Sequence, residues 1–130
     1  MSEVLSYRDL LVWQRAMDIA VATYELCRTY PRDELFGLTS QSRRAAASIP
    51  ANIAEGYGRT SRASYAHFLR ISQGSLKELE THLMLAERVG VALPGSTDDL
   101  MSRTDELGRM LRGLISKVQN RPVDLSAPNS

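Results

Sequence analysis

DLMSRTDELGRMLRGLISKV, residues 99–118, is the stretch that decides the fold class. Leu100, Thr104, Leu107, Leu111, Leu114 and Val118 step by four and three in strict alternation. That spacing brings them to one face of a helix and is the pattern of a coiled-coil seam. Ser96 and Asp99 stand at capping-box spacing at its start, and Arg121-Pro122 stops it. Residues 1–120 are expected to form the folded unit, with residues 121–130 a flexible C-terminal tail.

A helix with a single apolar face needs partners, and three more segments supply them. Leu10, Trp13, Met17, Ala20, Tyr24 and Cys27 recur at steps of three and four. They predict a first helix from about Asp9 to Thr29, with Ser6 and Asp9 at capping-box spacing and Pro31 ending it. A second helix starts near Leu38 or Thr39, with Ala45, Ala46, Ile49, Ile53 and Gly56 as its inner stripe. Pro50 inside it removes a backbone donor, so a bent single helix is expected, the apolar period staying in phase on both sides. The third helix is the longest, about Ser61 to Val89, carrying Phe68, Ser72, Ser75, Leu76, Leu79, Leu83, Ala86 and Val89. Thr60 or Ser61 can cap its start, and Gly90 can supply the left-handed residue that closes it. Short connections between four helices imply antiparallel neighbours. The expectation is an all-α, antiparallel up-down four-helix bundle with a Pro-kinked second helix and a long third one.

The 130 residues suffice for one core, and 43% apolar with 24% charged residues is ordinary for a globular domain. The net charge of +1 gives the whole molecule no strong pull toward nucleic acid or a membrane. Its distribution is uneven. Residues 41–72 hold five arginines against one acid, Glu55, leaving 11 basic and 14 acidic residues for the rest. Cys27 is alone, which excludes an internal disulfide, and its place on an apolar stripe reads as a buried thiol. Charges at Arg8, Asp9, Arg15, Asp18 and Glu25 interrupt any signal-peptide-like apolar run, and no stretch of about 18 apolar residues exists. A cytoplasmic protein without a membrane span is expected.

Catalytic patterns find no support. Neither a G-x-x-x-x-G-K loop nor a G-x-S-x-G elbow occurs, and one cysteine cannot build a zinc site. His67 and His82 lie fifteen residues apart on one helix, too far to share a ligand. Glu78 and His82 have the wrong spacing for a bundle di-metal site and no second copy, which leaves a surface pair. No enzyme activity, cofactor or metal is expected.

Two polar groupings remain. Ser48, Asn52, Glu55 and Arg59 run beside the apolar stripe of the second helix. They are either a solvated flank or a polar contact between helices or subunits, in which Ser48, Asn52 and Glu55 would fix register. Arg43, Arg44, Arg59, Arg62 and Arg70 are either scattered surface residues or a phosphate-binding patch. Arg59 and Arg62 flank the start of the third helix, where the helix dipole already favours an anion. Guanidinium groups donate paired hydrogen bonds to phosphate, so the patch would grip RNA or DNA backbone without reading bases. Tyr57 and Tyr65 are too few for a stacking platform and read as packing residues at the turn.

The segments Tyr7 to Ala16 (YRDLLVWQRA), Phe36 to Gln41 (FGLTSQ), Arg43 to Ala45 (RRA) and Ser48 to Gly58 (SIPANIAEGYG) resemble the bacterial 23S rRNA intervening-sequence proteins. The likeness covers about Tyr7 to Gln119. It implies a four-helix bundle with no enzyme activity. Members of that family are similar to the accessory protein of diversity-generating retroelements. That likeness implies a homopentamer with a basic surface, a role near nucleic acid, and a protein partner such as a reverse transcriptase. Ser42 departs from the family pattern, standing where an aliphatic residue usually precedes the paired arginines. The leading expectation is a non-enzymatic, oligomeric protein touching phosphates through Arg43, Arg44, Arg59, Arg62 and Arg70. The alternative is a scaffold that docks a protein partner and no nucleic acid.

Overall fold

A computed structural model describes residues 4–120 and is all-helical over them. Four α-helices, α1 (Leu11–Cys27), α2 (Ser40–Tyr57), α3 (Arg62–Arg88) and α4 (Asp98–Gln119), follow one another up and down. Each packs on its neighbours in sequence, and α1 closes against α4. No helix among the described residues is long and apolar enough to cross a membrane. The expected tail, residues 121–130, lies outside the described residues.

The core is a column of aliphatic side chains. Ile49 and Ile53 of α2, Leu69, Leu76, Leu79 and Leu83 of α3, and Leu107 and Leu111 of α4 are all essentially sealed from solvent. The inner stripe read for α2 is buried throughout, Gly56 included. Alpha-2 runs through Pro50 in one piece, and the backbone break before it falls earlier, at Gly37 (φ −110°, ψ −116°). A short π-helical segment, Leu35–Thr39, occupies that break.

Two stripes are displaced from the sequence reading. On α1 the buried residues are Val12, Ala16, Ile19, Ala20, Thr23 and Cys27. Met17 and Tyr24, expected inside, are 38% and 41% exposed. Alpha-1 is apolar on two adjoining faces, and the face carrying alanine and threonine turns inward because it allows a closer approach to α2 and α4. On α4, Ile115 is buried where Leu114 was expected. The steps 107, 111, 115 follow the 3.6-residue period of a straight helix, which overtakes a 3.5-residue seam after a few turns. Alpha-3 likewise buries Ala66 and Leu69, leaving Phe68 half-buried and Val89 exposed.

The ends are set by local chemistry. Ser6 and Asp9 form their capping box, but it closes a single 3-10 turn, Tyr7–Asp9, and extended Leu10 separates this turn from α1. Ser61 caps α3, its Oγ accepting from the Ser64 amide at 3.1 Å. The box expected from Ser96 and Asp99 is absent: Thr97 is the capping residue, and its hydroxyl donates to the Glu87 carboxylate instead. Glu87 also accepts from the Gly95 amide at 3.0 Å, so one carboxylate ties the end of α3 to the start of α4. Gly90 (φ 78°) and Gly95 (φ 82°) take the left-handed conformations that this connection needs.

Alpha-2 and α3 meet closely at Gly56. A β-carbon there would sit 2.8 Å from Phe68 Cβ and 3.2 Å from the Tyr65 carbonyl oxygen, closer than contact distance. Gly56→Ala should therefore destabilise the fold by about 1–3 kcal/mol from overpacking, less roughly 1 kcal/mol of gained helix propensity. A lower urea midpoint with an unchanged m-value is the expected readout.

The hydrogen bonds from Thr97 and Gly95 hold the Glu87 carboxyl below its ordinary value of 4.5. A lowered folded value means that the stabilisation is present above pH 4.5 and drains away as pH falls through the folded value. Glu87→Gln should flatten the acid limb of a stability–pH curve by lowering the neutral plateau, with stability below the folded value little changed.

Candidate nucleic-acid interface

Alpha-2 and α3 form an antiparallel hairpin, and all five candidate arginines sit on it. Their surroundings differ. Arg43 leans across to α1, with its guanidinium 5.1 Å from the Tyr24 ring and its Nε buried without a hydrogen-bond partner. Cation–π contact of this kind holds the charge at a defined place while leaving it available to a second partner. Arg44 points the other way, lining a shallow cleft with Gln41, Ser48, Ser75 and Glu78. Arg43 thus serves the α1 side of α2, and Arg44 the α3 side.

Arg59 lies in the turn just past the end of α2, roughly 20 Å along the helix from Arg44. It folds back on α2, bonding Glu55 at 2.6 Å while lying 4.8 Å from the Phe68 ring. Arg62 sits by the C-terminal turns of α4, next to Val118 and Gln119. The negative end of the α4 dipole favours a cation there. Arg62 is the first residue of α3 and Arg59 lies three residues ahead of it, so the two flank the start of that helix. Arg70 is exposed on α3, level with the middle of α2. The structure brings Arg59 together with Glu55, and it spaces the five guanidinium groups along the hairpin and over more than one side of it.

The polar row divides in a similar way. Ser48 Oγ and Ser75 Oγ are 2.8 Å apart, an interhelical contact between α2 and α3. Asn52 supports it from below, donating from Nδ2 to both the Ser48 carbonyl and its Oγ at 2.9 Å. Glu55 takes no part and belongs to Arg59. Ser72 adds a buried link, donating to the Ile49 carbonyl at 2.8 Å. Ser42 is buried with its hydroxyl unpartnered.

Sequence reading missed Glu80 and the exposure of Phe36. Glu80 is buried between α3 and α4, accepting from Thr104 Oγ1 at 2.8 Å and pairing with Lys77 at 3.1 Å. Threonine at a seam position was the available signal. Phe36, which entered only through the family resemblance, is 91% exposed in the connection to α2. Cys27 is buried as expected, and burial pushes its thiol up, away from the reactive thiolate. Tyr57 and Tyr65 pack edge to face at 6.1 Å, the turn-packing role expected of them. Among the described residues no group of three His, Cys, Asp or Glu side chains could hold a metal ion.

No curated protein matches the chain. Among solved structures, a protein of unknown function from the S23 ribosomal protein family of Bacteroides thetaiotaomicron superposes with a TM-score of 0.75 at 24% identity. The match covers 81% of this chain and 98% of that one, a likeness of fold. The profile of one family, the 23S rRNA-intervening sequence proteins, matches residues 8–113. That span takes in all four helices from the 3-10 turn to beyond the middle of α4, and with it the chain belongs to the 23S rRNA-intervening sequence protein family.

Proposed function

We propose that the chain is a non-enzymatic, self-associating bundle that holds the phosphate backbone of RNA or DNA along its α2–α3 hairpin. One observation carries the reading: residues 41–72 of that hairpin hold five arginines and a single carboxylate, Glu55, which is already bonded to Arg59. The pair is exposed on both sides, and surface pairs of this kind contribute about 0–1 kcal/mol. A phosphate can displace Glu55 at little cost. Arginines spaced along some 20 Å of helix suit a polyanion, which offers a charge every few ångströms, better than they suit one small anion. The family's name, which refers to 23S rRNA, makes RNA the first choice of partner. Self-association would repeat the hairpin and multiply a weak local attraction.

A second reading has its own support. Met17, Val21 and Tyr24 form an exposed apolar stripe on α1, and such a stripe suits a protein partner. On that reading the bundle is a scaffold that docks a protein and leaves nucleic acid alone.

A salt titration of RNA binding separates the two. On the first reading log Kobs falls with log salt. Changing Arg44 and Arg70 to glutamate then lowers that slope by about 0.7 for each single-strand phosphate no longer neutralised. Binding that is absent at low salt, or unmoved by these substitutions, would leave the scaffold reading standing.

A further inference from the structure

Gln41, Arg44 and Ser48 recur at steps of three and four along α2, and Ser75 and Glu78 at a step of three along α3. They line a cleft of about 330 Å³ between the two helices. The helices run antiparallel with Ser48 opposite Ser75, so Arg44 and Glu78, one turn away on each, come level with one another. The serines are half-buried and form the floor, while Gln41, Arg44 and Glu78 are exposed and form the rim. The volume falls at the lower end of the range for small-ligand sites, about 300–1,000 Å³, which suits one sugar with its phosphate.

The floor has a hydrogen to give. Asn52 Nδ2 donates to the Ser48 carbonyl and to Ser48 Oγ, both at 2.9 Å. A carbonyl can only accept, so it fixes which end of the Asn52 amide faces the serines. Ser48 Oγ then lies 2.8 Å from Ser75 Oγ. Two hydroxyls bonded to each other use one of their two hydrogens. Among the described residues neither has a further acceptor, so one O–H is left over in the cleft.

The rim carries both charges. Neither Arg44 nor Glu78 belongs to an ion pair among the described residues. Lys77, beside Glu78 in sequence, is tied to Glu80 at 3.1 Å, and His82, one turn further along α3, does not line the cleft. A phosphate suits Arg44, but a carboxylate at the same rim repels it. Backbone grip alone therefore gives Glu78 no use. A hydroxyl carried next to the phosphate does, because it can donate to the carboxylate and accept from the serine pair.

We infer that this cleft takes a ribose of a bound RNA strand, its 2′-hydroxyl accepting from the Ser48–Ser75 pair and donating to Glu78 while Arg44 holds the adjoining phosphate. This rests on the backbone-binding reading above and adds to it a choice between nucleic acids. The 2′-hydroxyl is both donor and acceptor, and it is what separates RNA from DNA at a given site. Deoxyribose would leave the carboxylate beside a phosphate with no donor between them. Base edges take no part, so the choice is of sugar and not of sequence.

The test compares three single strands of one sequence, RNA, its 2′-O-methyl form and DNA, by fluorescence anisotropy with the full chain at one low salt concentration. The methylated strand keeps the ribose oxygen but has no hydrogen to donate to a carboxylate. The unaltered chain should bind RNA about tenfold more tightly than either of the others, the effect of one hydrogen bond to a charged group. Glu78→Ala removes a negative charge and should raise binding to DNA, so the ratio of RNA to DNA affinity is the readout. That ratio should fall to about one in Glu78→Ala. It should fall in Ser75→Ala too, with unchanged DNA binding reporting an intact fold. Equal binding of the three strands, a methylated strand that binds as RNA does, or a preference that survives either substitution would overturn the ribose site and leave backbone binding standing. A chain that binds none of the three would overturn both.

Discussion

The close approach of α2 to α3 is the constraint on which the rest of the structure depends. It exists because Gly56 has no side chain where Phe68 and the Tyr65 backbone come near. With the two helices that close, Ser72 reaches the Ile49 carbonyl and Ser48 meets Ser75. These neutral bonds are worth about 1 kcal/mol each, small beside the burial of Ile49, Ile53, Leu69 and Leu76. Their use is register. Aliphatic side chains pack acceptably after a small slide, whereas a buried hydroxyl is left without its partner.

That same register places the charges. Arg59 leaves α2 where Phe68 offers its ring face and Glu55 its carboxylate, so the guanidinium is positioned before any ligand arrives. Arg43 is held over Tyr24 in a comparable way. A side chain already ordered by stacking gives up less entropy on meeting a phosphate than a free one does. The hairpin is thus a rigid carrier of partly preorganised cations, and the function proposed for it is display and grip.

How much of this was legible in the sequence depended on how clearly each helix separated its faces. On α2 the stripe of Ala45, Ala46, Ile49 and Ile53 is flanked by Gln41, Arg44 and Ser48, and only one face could turn inward. Alpha-1 offers Met17 and Tyr24 on one side and Ile19 and Thr23 on the next. Periodicity cannot choose between two apolar faces; the neighbouring helices do. The capping box expected from Ser96 and Asp99 failed for a similar reason. Thr97 bonds Glu87, ten residues earlier and on another helix, and no local motif reveals a partner across a turn. The arginines were visible as a composition bias, while their directions toward Tyr24, Glu78, Phe68 and the end of α4 arise only from tertiary neighbours. Phe36 showed no periodic signal, because the segment carrying it belongs to none of the four helices.

The central claim, that several copies of this bundle together hold a nucleic-acid backbone, is met most directly by the mass of the complex. Size-exclusion chromatography with light scattering, run on the full chain with and without a single-stranded RNA at low ionic strength, measures it. The account predicts a multimer that takes up RNA as a single species and releases it, still multimeric, when salt is raised. A species of one chain that elutes apart from the RNA would contradict it.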